Sequence, residues 1–280
     1  MQKNLMSKQK TKNTNVNRDR SNQRQSQSQS INHDQIWLCG KHPSFSALQK
    51  KRRKIFEILV TKNSSSELEK FLTENSLLAL KSLIKVVEGQ KIEETVGANH
   101  LHQGIALRCS KLPTQNQIQL LEELHALAGE NLPTLLLLDQ LSDPQNIGAI
   151  IRSAASFGVK KIIFSEHSAP KENATIAKSA AGTLELVDLV IVTNFNNLIE
   201  KLKKIDYWCI GLDGSAKMSI TEVAAQNYKN IALVIGSEGI GMRDLVKKNC
   251  DILTKIEIDK NVESLNASVA AAIALYELSK

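Results

Sequence analysis

An alternation of apolar runs with polar turns marks the middle of the chain. Residues 135–138 are four consecutive leucines, a pattern typical of a strand buried on both faces of a parallel sheet. Asp143 and Pro144 then predict a helix start, because the aspartate can accept hydrogen bonds from the first turn, and proline lacks the N–H that would be unsatisfied there. Apolar residues recur at helical spacing up to Gly158, which is placed to end the helix in a left-handed cap. A second apolar run at 160–164 completes a predicted βαβ unit.

The same patterning continues on both sides of this unit. Strands are predicted at 36–40, 55–60, 102–107, 186–192 and 207–212, and helices at 43–49, 67–72, 76–87, 118–127, 174–181 and 198–204. Because strands and helices alternate throughout, we expect an α/β fold. The length of the chain suits two modest domains. We place a tail at 1–33, a first domain at 34–108, a linker at 109–132 and a second domain at 133–280.

Most of the net positive charge lies in the tail. The first 32 residues contain seven Lys and Arg and one Asp, which accounts for six of the formal net charge of +7. This segment is rich in Gln, Asn and Ser and nearly free of large apolar side chains, so it cannot offset its ordering entropy and is predicted to be a disordered basic arm. Such an arm suits sequence-independent phosphate contacts, and a solubilising or targeting extension is the alternative.

Membrane proteins and disulfide-rich scaffolds do not fit this sequence. No apolar run approaches membrane-spanning length, and the first residues lack the apolar core of a signal peptide, so we expect a cytoplasmic protein without a membrane partner. The cysteines are scattered without any Cys-x-x-Cys pair, and the histidines show no ligand spacing beside them. We therefore expect reduced, structural cysteines and no metal site.

Polar side chains stand where the buried strands are predicted to end, which is where open α/β sheets bind ligands. Asn146 lies at the mouth of the predicted helix and Arg152 lies deeper, with Gly148 one turn before it to let backbone or ligand approach the guanidinium. A second buried strand runs into the glycine-rich turn 236–241, which holds Glu238. Taken singly, each residue has an ordinary alternative as a surface arginine, a helix cap or a carboxylate at a helix start.

Three separated segments carry a specific combination of residues: Asp-Pro-x-Asn-x-Gly-x-x-x-Arg-Ser-Ala at 143–154, Gly-Ser-Glu-Gly-x-Gly-Met at 236–242 and Ser-Leu-Asn-x-Ser-Val-Ala at 264–270. Together they resemble the motifs of the SpoU/TrmH family of RNA 2′-O-ribose methyltransferases, in the SPOUT class. The resemblance implies a carboxyl-terminal parallel-sheet domain with a deep trefoil knot. It also implies a homodimer that completes each active site across its two-fold interface.

The first domain carries a looser resemblance. Gly40-Lys41-His42-Pro43 and His102-Gln103-Gly104-Ile105 resemble the amino-terminal substrate-binding domain of many members of this family, which has the fold of ribosomal protein L30e and holds the RNA. The five consecutive cations at 50–54 fit a phosphate-contacting loop, with an ordinary solvated surface as the alternative.

The resemblance also implies an activity, S-adenosylmethionine-dependent methylation of a ribose 2′-hydroxyl. The expected substrate is a guanosine of 23S ribosomal RNA, with tRNA as the second choice. The implied catalytic residues are Arg152, Asn146, Glu238, Ser264 and Asn266. The implied methyl-donor contacts are Leu212, Gly214, Gly236, Ile256 and Leu265.

Arg152 hardly loses its proton in a protein, so phosphate positioning and stabilisation of a developing alkoxide suit it better than the role of a literal base. For Glu238 the sequence leaves two interpretations. Either it pairs with Arg152 and holds the guanidinium, or its negative charge interacts favourably with the dipole of a helix that begins at Met242.

One segment departs from the family pattern. Relatives have Ile-Pro-Met-x-Gly before the Ser-Leu-Asn motif, whereas residues 256–261 read Ile-Glu-Ile-Asp-Lys-Asn. Two acidic side chains therefore enter the methyl-donor loop unless they turn outward. This departure keeps open an alternative hypothesis, a catalytically weak knotted protein that binds RNA or assists ribosome assembly.

Overall fold

Residues 34–97, 101–127 and 131–280 are described by a computed structural model of the chain. The predicted basic tail at 1–33 lies outside these ranges. The described elements form a four-stranded sheet and an eight-stranded sheet, each covered by helices. The predicted α/β class is confirmed. Within the described ranges, every helix is too short or too polar to cross a bilayer.

The first sheet is mostly antiparallel. Its elements are β1 (Gln35–Cys39), α1 (Lys41–Lys50), β2 (Ile55–Val60), α2 (Lys62–Glu74), β3 (Ile84–Val86), α3 (Gly89–Val96) and β4 (Ile105–Ser110). The strand order is β1-β4-β2-β3, in which β4 runs antiparallel to both neighbours and β3 runs parallel to β2.

The helix predicted at 76–87 is wrong. A 3-10 turn covers Leu78–Leu83, and the next three residues form β3. The leucine spacing fits a helix, but the backbone of β3 pairs with β2, and the Val87 N–H donates to the Val60 carbonyl at 2.9 Å. A strand partner supplied by the tertiary fold thus outweighs a local helical pattern.

The second sheet is entirely parallel. Its elements are β5 (Thr114–Asn116), α4 (Gln117–Ala126), β6 (Leu135–Leu138), α5 (Pro144–Ser156), β7 (Lys161–Ser165), α6 (Ala174–Ser179), β8 (Asp188–Val192), α7 (Phe195–Lys203), β9 (Trp208–Leu212), β10 (Met218–Ser219), α8 (Ile220–Ala224), β11 (Ile231–Ile235), α9 (Asp244–Asn249), β12 (Ile252–Lys255) and α10 (Ala267–Leu278). The order is β10-β12-β9-β11-β6-β7-β8-β5. The segment predicted as a linker thus contributes α4 and, in β5, an edge strand.

The central βαβ unit is β6-α5-β7, and its predicted local features are confirmed. Asp143 caps α5, and Gly158 follows the helix with a φ of 80°. All four leucines of β6 are buried, and they alternate between two hydrophobic clusters on opposite faces of the sheet. One of these clusters continues into the first domain through Leu38 and Leu107, so the two domains share one hydrophobic core, in which α6 packs on β1.

Two arginines of the 50–54 run form the polar part of this junction. The Arg53 side chain is fully buried and makes ion pairs with Glu172 and Glu185. Arg52 donates to the Val187 carbonyl at 2.7 Å and to the Asp188 carboxylate at 2.6 Å. The predicted phosphate contact is therefore wrong for Arg53, whose charge is neutralised between the two sheets.

Glu185 makes the junction sensitive to pH. Burial raises the pKa of its carboxyl above the ordinary value, the Glu172 charge acts in the same direction, and Arg53 opposes both. A raised pKa in the folded state gives stability that is full below the ordinary pKa and is lost as pH rises through the folded pKa. Glu185→Gln removes this loss and keeps an oxygen for the Arg53 Nε–H.

We therefore expect the melting temperature of Glu185→Gln to gain on that of the parent as pH rises from about 4.3, the ordinary glutamate pKa, towards 8. A difference of roughly 1 kcal/mol would appear as a gap of about 2–4 °C. Thermal unfolding of both proteins across this range measures the gap. A gap that narrows with rising pH would contradict the raised pKa.

Candidate active site

The first predicted site residue is held by the start of α5. Both carboxylate oxygens of Asp143 accept backbone N–H groups of the first turn, from Gln145 at 3.3 Å and from Asn146 at 3.0 Å. With proline at the first helical position, this cap places Asn146 at the carboxyl edge of the parallel sheet.

One oxygen of Glu238 brings the three sequence motifs together. Its Oε1 accepts from the Asn146 side chain at 2.9 Å, from the Asn266 side chain at 2.7 Å and from the Ala267 backbone N–H at 3.0 Å. The Asn266 amide also donates to the Asn146 side-chain oxygen at 3.0 Å. We call Asn146, Glu238 and Asn266 the polar triad.

Asn266 both caps a helix and belongs to the triad. Its Oδ1 accepts backbone N–H groups from Ser268 at 2.9 Å and Val269 at 3.4 Å at the start of α10. Because a backbone N–H can only donate, these contacts fix the amide orientation and direct the Nδ2 protons towards Glu238 and Asn146.

The two interpretations of Glu238 drawn from the sequence are both wrong for the single chain. Its carboxylate binds Asn146, Asn266 and the first N–H of α10, so the helix that it serves is α10 and not the one after Met242. No ion pair joins it to Arg152 in the described part of the chain, and the Arg152 side chain is exposed to solvent.

Gly148 has a structural task that the sequence did not reveal. A Cβ at this position would lie 2.4 Å from the Ser179 Cβ and 2.7 Å from the Ile176 carbonyl oxygen. The missing side chain therefore lets α5 and α6 pack closely one turn before Arg152, and it does not open space for a ligand.

A cavity of about 320 Å³ lies beside the triad, at the carboxyl ends of the neighbouring strands β12, β9 and β11. We call it the edge cavity. It is lined by all five predicted methyl-donor contacts, together with Glu238 and Ser264: Leu212, Gly214, Gly236, Ile256 and Leu265. Arg152 is not among the lining residues. The structure thus groups the predicted donor residues at one site and leaves the predicted arginine outside it.

The unusual loop after β12 turns its acids away from this cavity. Ile256 and Ile258 line the cavity, whereas Glu257 and Asp259 are exposed and do not line it. The Asp259 carboxylate accepts from the Asn261 backbone N–H at 2.9 Å, which closes a turn. An extended segment alternates its side chains, so the Ile-x-Ile spacing was a signal that could have identified Ile258.

Glu263 is a second lining residue that the sequence did not single out. It stands immediately before the Ser-Leu-Asn motif and is exposed. With Glu238 it places negative charge at a cavity whose walls are otherwise largely apolar or backbone.

The glycine-rich turn is held at both of its ends by Asp139. The Asp139 backbone N–H donates to the Ile235 carbonyl at 2.8 Å, where the turn begins. Its fully buried carboxylate accepts from the Arg243 backbone N–H at 2.9 Å and from the Arg243 guanidinium Nε and Nη2 at 2.9 and 2.7 Å, where the turn ends. A buried aspartate directly after four leucines was the available sequence signal for this brace.

Asp213 holds the loop after β9, which contributes Gly214 to the cavity. Burial opposes ionisation of this carboxyl, but hydrogen bonds from Lys247 and Ser215 hold its pKa below the ordinary value. The Lys247 ammonium lies 2.6 Å from the carboxylate, and the Ser215 N–H donates to it at 2.8 Å. This contact ties the loop that contains Gly214 to α9.

The edge cavity has the properties that a sulfonium methyl donor requires. Its volume lies at the lower end of the range for small-molecule sites, and its apolar walls suit a base and an aliphatic chain. The two carboxylates suit a cation and an amino group. Gly236 adds a bare backbone, and no other residue fits there because a Cβ would lie 2.1 Å from the Gly241 carbonyl carbon.

Most of the chain matches known protein families. Residues 133–276 match the SpoU rRNA Methylase family, and residues 37–115 match the domain described as RNA 2'-O ribose methyltransferase substrate binding. The 23S rRNA (guanosine-2'-O-)-methyltransferase RlmB of Xylella fastidiosa is 32% identical over 251 residues, which cover 88% of this chain and 97% of that protein. The protein of the same name from Xanthomonas campestris pv. campestris is 34% identical over 245 residues, covering 86% and 94%.

The fold has close counterparts among solved structures. The SpoU methyltransferase AviRb from Streptomyces viridochromogenes, in complex with the cofactor AdoMet, superposes with a TM-score of 0.69 at 20% identity and covers 88% of this chain and 90% of that one. At this identity the likeness concerns the fold. The match to residues 133–276 and the identity above 30% over most of the chain establish that this protein belongs to the SpoU rRNA Methylase family.

Proposed function

We propose that this chain transfers the methyl group of S-adenosylmethionine to the ribose 2′-hydroxyl of a guanosine in 23S ribosomal RNA. The observation that supports this most is the meeting of Asn146, Glu238 and Asn266 beside the edge cavity. The reaction and RNA named for the RlmB relatives supply the substrate class.

Leu212, Ile256 and Leu265 would hold the methyl donor by apolar contact, and the bare backbone at Gly236 and Gly214 would bind its polar groups. When bound, S-adenosylmethionine supplies a methyl group made electrophilic by the sulfonium charge. Glu238 and Glu263 would favour that cation through their own charge.

The polar triad would orient the attacking hydroxyl. Glu238 Oε1 is occupied by three N–H groups, and within the described residues its Oε2 makes no hydrogen bond. That second oxygen can accept a hydrogen bond from a ribose hydroxyl and raise the electron density on its oxygen atom. Ser264, which also lines the cavity, can donate to or accept from the same ribose.

Arg152 would bind the phosphate next to the reacting ribose. Its planar guanidinium can hold two phosphate oxygens and stabilise negative charge that develops on the 2′-oxygen. The exposure of its side chain suits a contact with a large polyanion.

A homodimer is part of the proposal. Arg152 does not line the edge cavity of its own chain, so a second copy is the simplest source of the guanidinium. Large apolar side chains are exposed along α10 and just before it, with Val262, Val269 and Tyr276 at 49%, 47% and 50%. A two-fold contact through this face would cover them next to the cavity.

The family resemblance extends the proposal to the organisation of the chain. We propose a deep trefoil knot within 133–280 and an L30e-like RNA-holding domain at 34–108, joined by the segment 109–132, which also contributes β5 and α4 to the second sheet. We further propose that residues 1–33 form a disordered basic arm and that the protein acts in the cytoplasm. The match of residues 37–115 to the substrate-binding description supports the RNA-holding role.

The alternative functions are methylation of tRNA and RNA binding or ribosome assembly with little catalysis. The second of these rests on the altered loop at 256–261. The outward position of Glu257 and Asp259 and the apolar inner face of the loop favour donor binding and thus the enzyme.

Two measurements test the function. Calorimetry with S-adenosylhomocysteine should show saturable binding at one site per chain, and its absence would favour the RNA-binding alternative. Mapping of ribose methylation in RNA from cells with and without the protein should show the loss of one methylated guanosine in 23S ribosomal RNA. If a methyl group is lost from tRNA instead, the substrate is tRNA and the proposed methyl-transfer reaction is unchanged.

A further inference from the structure

A buried cluster of charges joins the two sheets. The Arg53 guanidinium has no exposed surface; its Nη2 lies 2.5 Å from a Glu172 carboxylate oxygen, and its Nε lies 2.6 Å from Glu185. Its Nη1 donates to the Ser110 carbonyl at 3.0 Å. Glu172 also accepts the Leu112 backbone N–H at 2.9 Å. One side chain from the loop between α1 and β2 thus bridges two separate segments of the second domain.

Net stability does not explain such a cluster. Removing charges from water costs several kcal/mol per ion, and buried ion pairs are often replaced by apolar side chains without loss of stability. Two carboxylates face one guanidinium here. Arg53 Nη2, Glu172 Oε1 and one Glu185 oxygen are buried without a hydrogen bond in the described residues, so the Arg53–Glu172 contact is an ion pair by distance only. The cluster does impose geometry, because a guanidinium binds its partners only at short range and in its own plane.

The cluster is linked to the helix that carries the proposed catalytic residues. Glu185 lies in the 3-10 turn Thr183–Leu186, which packs between α1 of the first sheet and α5 of the second. Just before this turn, the Ser46 hydroxyl donates to the Gly182 carbonyl at 2.6 Å, and a Cβ at Gly182 would lie 2.9 Å from the His42 carbonyl oxygen. The first domain therefore directly contacts the 3-10 turn that packs against α5.

We propose that Arg53 is a positioning residue that holds the amino-terminal domain in one orientation over α5, so that RNA bound by this domain presents a single ribose to the polar triad. The inference rests on the proposed function. In the enzyme the cluster sets the distance between the RNA-holding surface and Arg152, and it thereby contributes to the choice of nucleotide.

The test is a variant that removes the charges but keeps the packing. Arg53→Met, Glu185→Leu and Glu172→Gln are combined, and the glutamine retains an acceptor for the Leu112 N–H. We expect a melting temperature equal to or above that of the parent and unchanged binding of S-adenosylhomocysteine. For 23S RNA we expect KM to rise and kcat/KM to fall by roughly 10- to 100-fold, since misplacement by about 1 Å has effects of this size. Methylation should also spread to neighbouring nucleotides.

Arg53→Lys is the second variant, in case the first does not fold. It keeps the buried charge but offers one ammonium in place of the planar fork, so it should show part of the same loss. The matched control is Arg108→Met with Glu57→Gln, an ion pair at 3.1 Å that lies wholly within the first sheet. The control should alter the melting temperature without changing the choice of nucleotide.

The outcomes separate the inference from the proposed function. A parent protein that methylates one guanosine, together with a folded triple variant of equal kcat/KM and equal selectivity, would overturn the positioning role of Arg53. A parent protein without methyl transfer would overturn the function itself. A triple variant that loses stability and affinity for S-adenosylhomocysteine together would make the cluster a structural element only.

Discussion

Arg152→Ala removes methyl transfer while leaving the fold and the binding of S-adenosylhomocysteine intact. The side chain is exposed and does not line the edge cavity, so its loss disturbs neither packing nor donor contacts. What disappears is a charge that stabilises the developing alkoxide and holds the adjacent phosphate. Loss of one such group lowers kcat by about 10²–10³-fold, and loss of the phosphate contact adds to this. Single-turnover methylation of 23S RNA measures the effect.

Arg152→Lys should recover only a small part of the activity, because an ammonium cannot hold two phosphate oxygens in one plane. Lys160→Ala, which removes an exposed cation just after the same helix, is the matched control and should retain the parental rate. A fully active Arg152→Ala would show that the chemistry has been assigned to the wrong residue.

Gly236→Ala weakens donor binding. The new Cβ would lie 2.1 Å from the Gly241 carbonyl carbon and 2.2 Å from the Met242 nitrogen, so the backbone of the turn must open. The turn cannot open freely, because Asp139 holds both of its ends. Overpacking of this kind costs about 1–3 kcal/mol or more, which corresponds to a loss of roughly 10- to 100-fold in affinity for S-adenosylhomocysteine.

Gly214→Ala is the comparison for this variant. It lies at the same cavity, but its added Cβ meets no atom within 4 Å. We expect it to weaken S-adenosylhomocysteine binding far less and to leave the melting temperature unchanged. Equal losses of affinity in the two variants would mean that crowding of the turn is not the cause.

The same two variants test whether each site is shared between two copies. If Arg152 acts on the cavity of its partner, a mixture of Arg152→Ala and Gly236→Ala chains regains activity after subunit exchange, at a donor concentration too low to fill the Gly236→Ala cavity. An equal mixture would restore about a quarter of the sites, because half of the dimers are mixed and each has one complete site. Absence of any recovery, with exchange demonstrated independently, would place Arg152 and the cavity within one chain.

Local signals identified the central unit and the class of fold. The leucine run, the Asp-Pro helix start and Gly158 act through neighbouring residues only, so they could be interpreted correctly without knowledge of the rest of the chain. The helix predicted at 76–87 failed for the opposite reason. Part of this segment forms a strand because it pairs with β2, which lies more than twenty residues earlier in the chain than β3.

The five residues predicted as methyl-donor contacts line one cavity, and their role in donor binding stays a prediction. The family motifs gave no role to Ile258, Glu263 or the contact between Asp139 and Arg243. The partners of Glu238 could not be predicted either, because they lie 92 and 28 residues away in the sequence and meet only in the fold.

By itself the sequence determined the α/β class, the parallel sheet of the carboxyl-terminal domain and the family, because spacing and capping are local properties and the motifs are specific. Only the tertiary structure decided which charged side chains are exposed and which are buried in ion pairs. In the sequence Arg53 looks like its neighbours in the basic run. In the structure its side chain is buried between Glu172 and Glu185. Burial and ion pairing are properties of distant segments brought together, and no local pattern contains them.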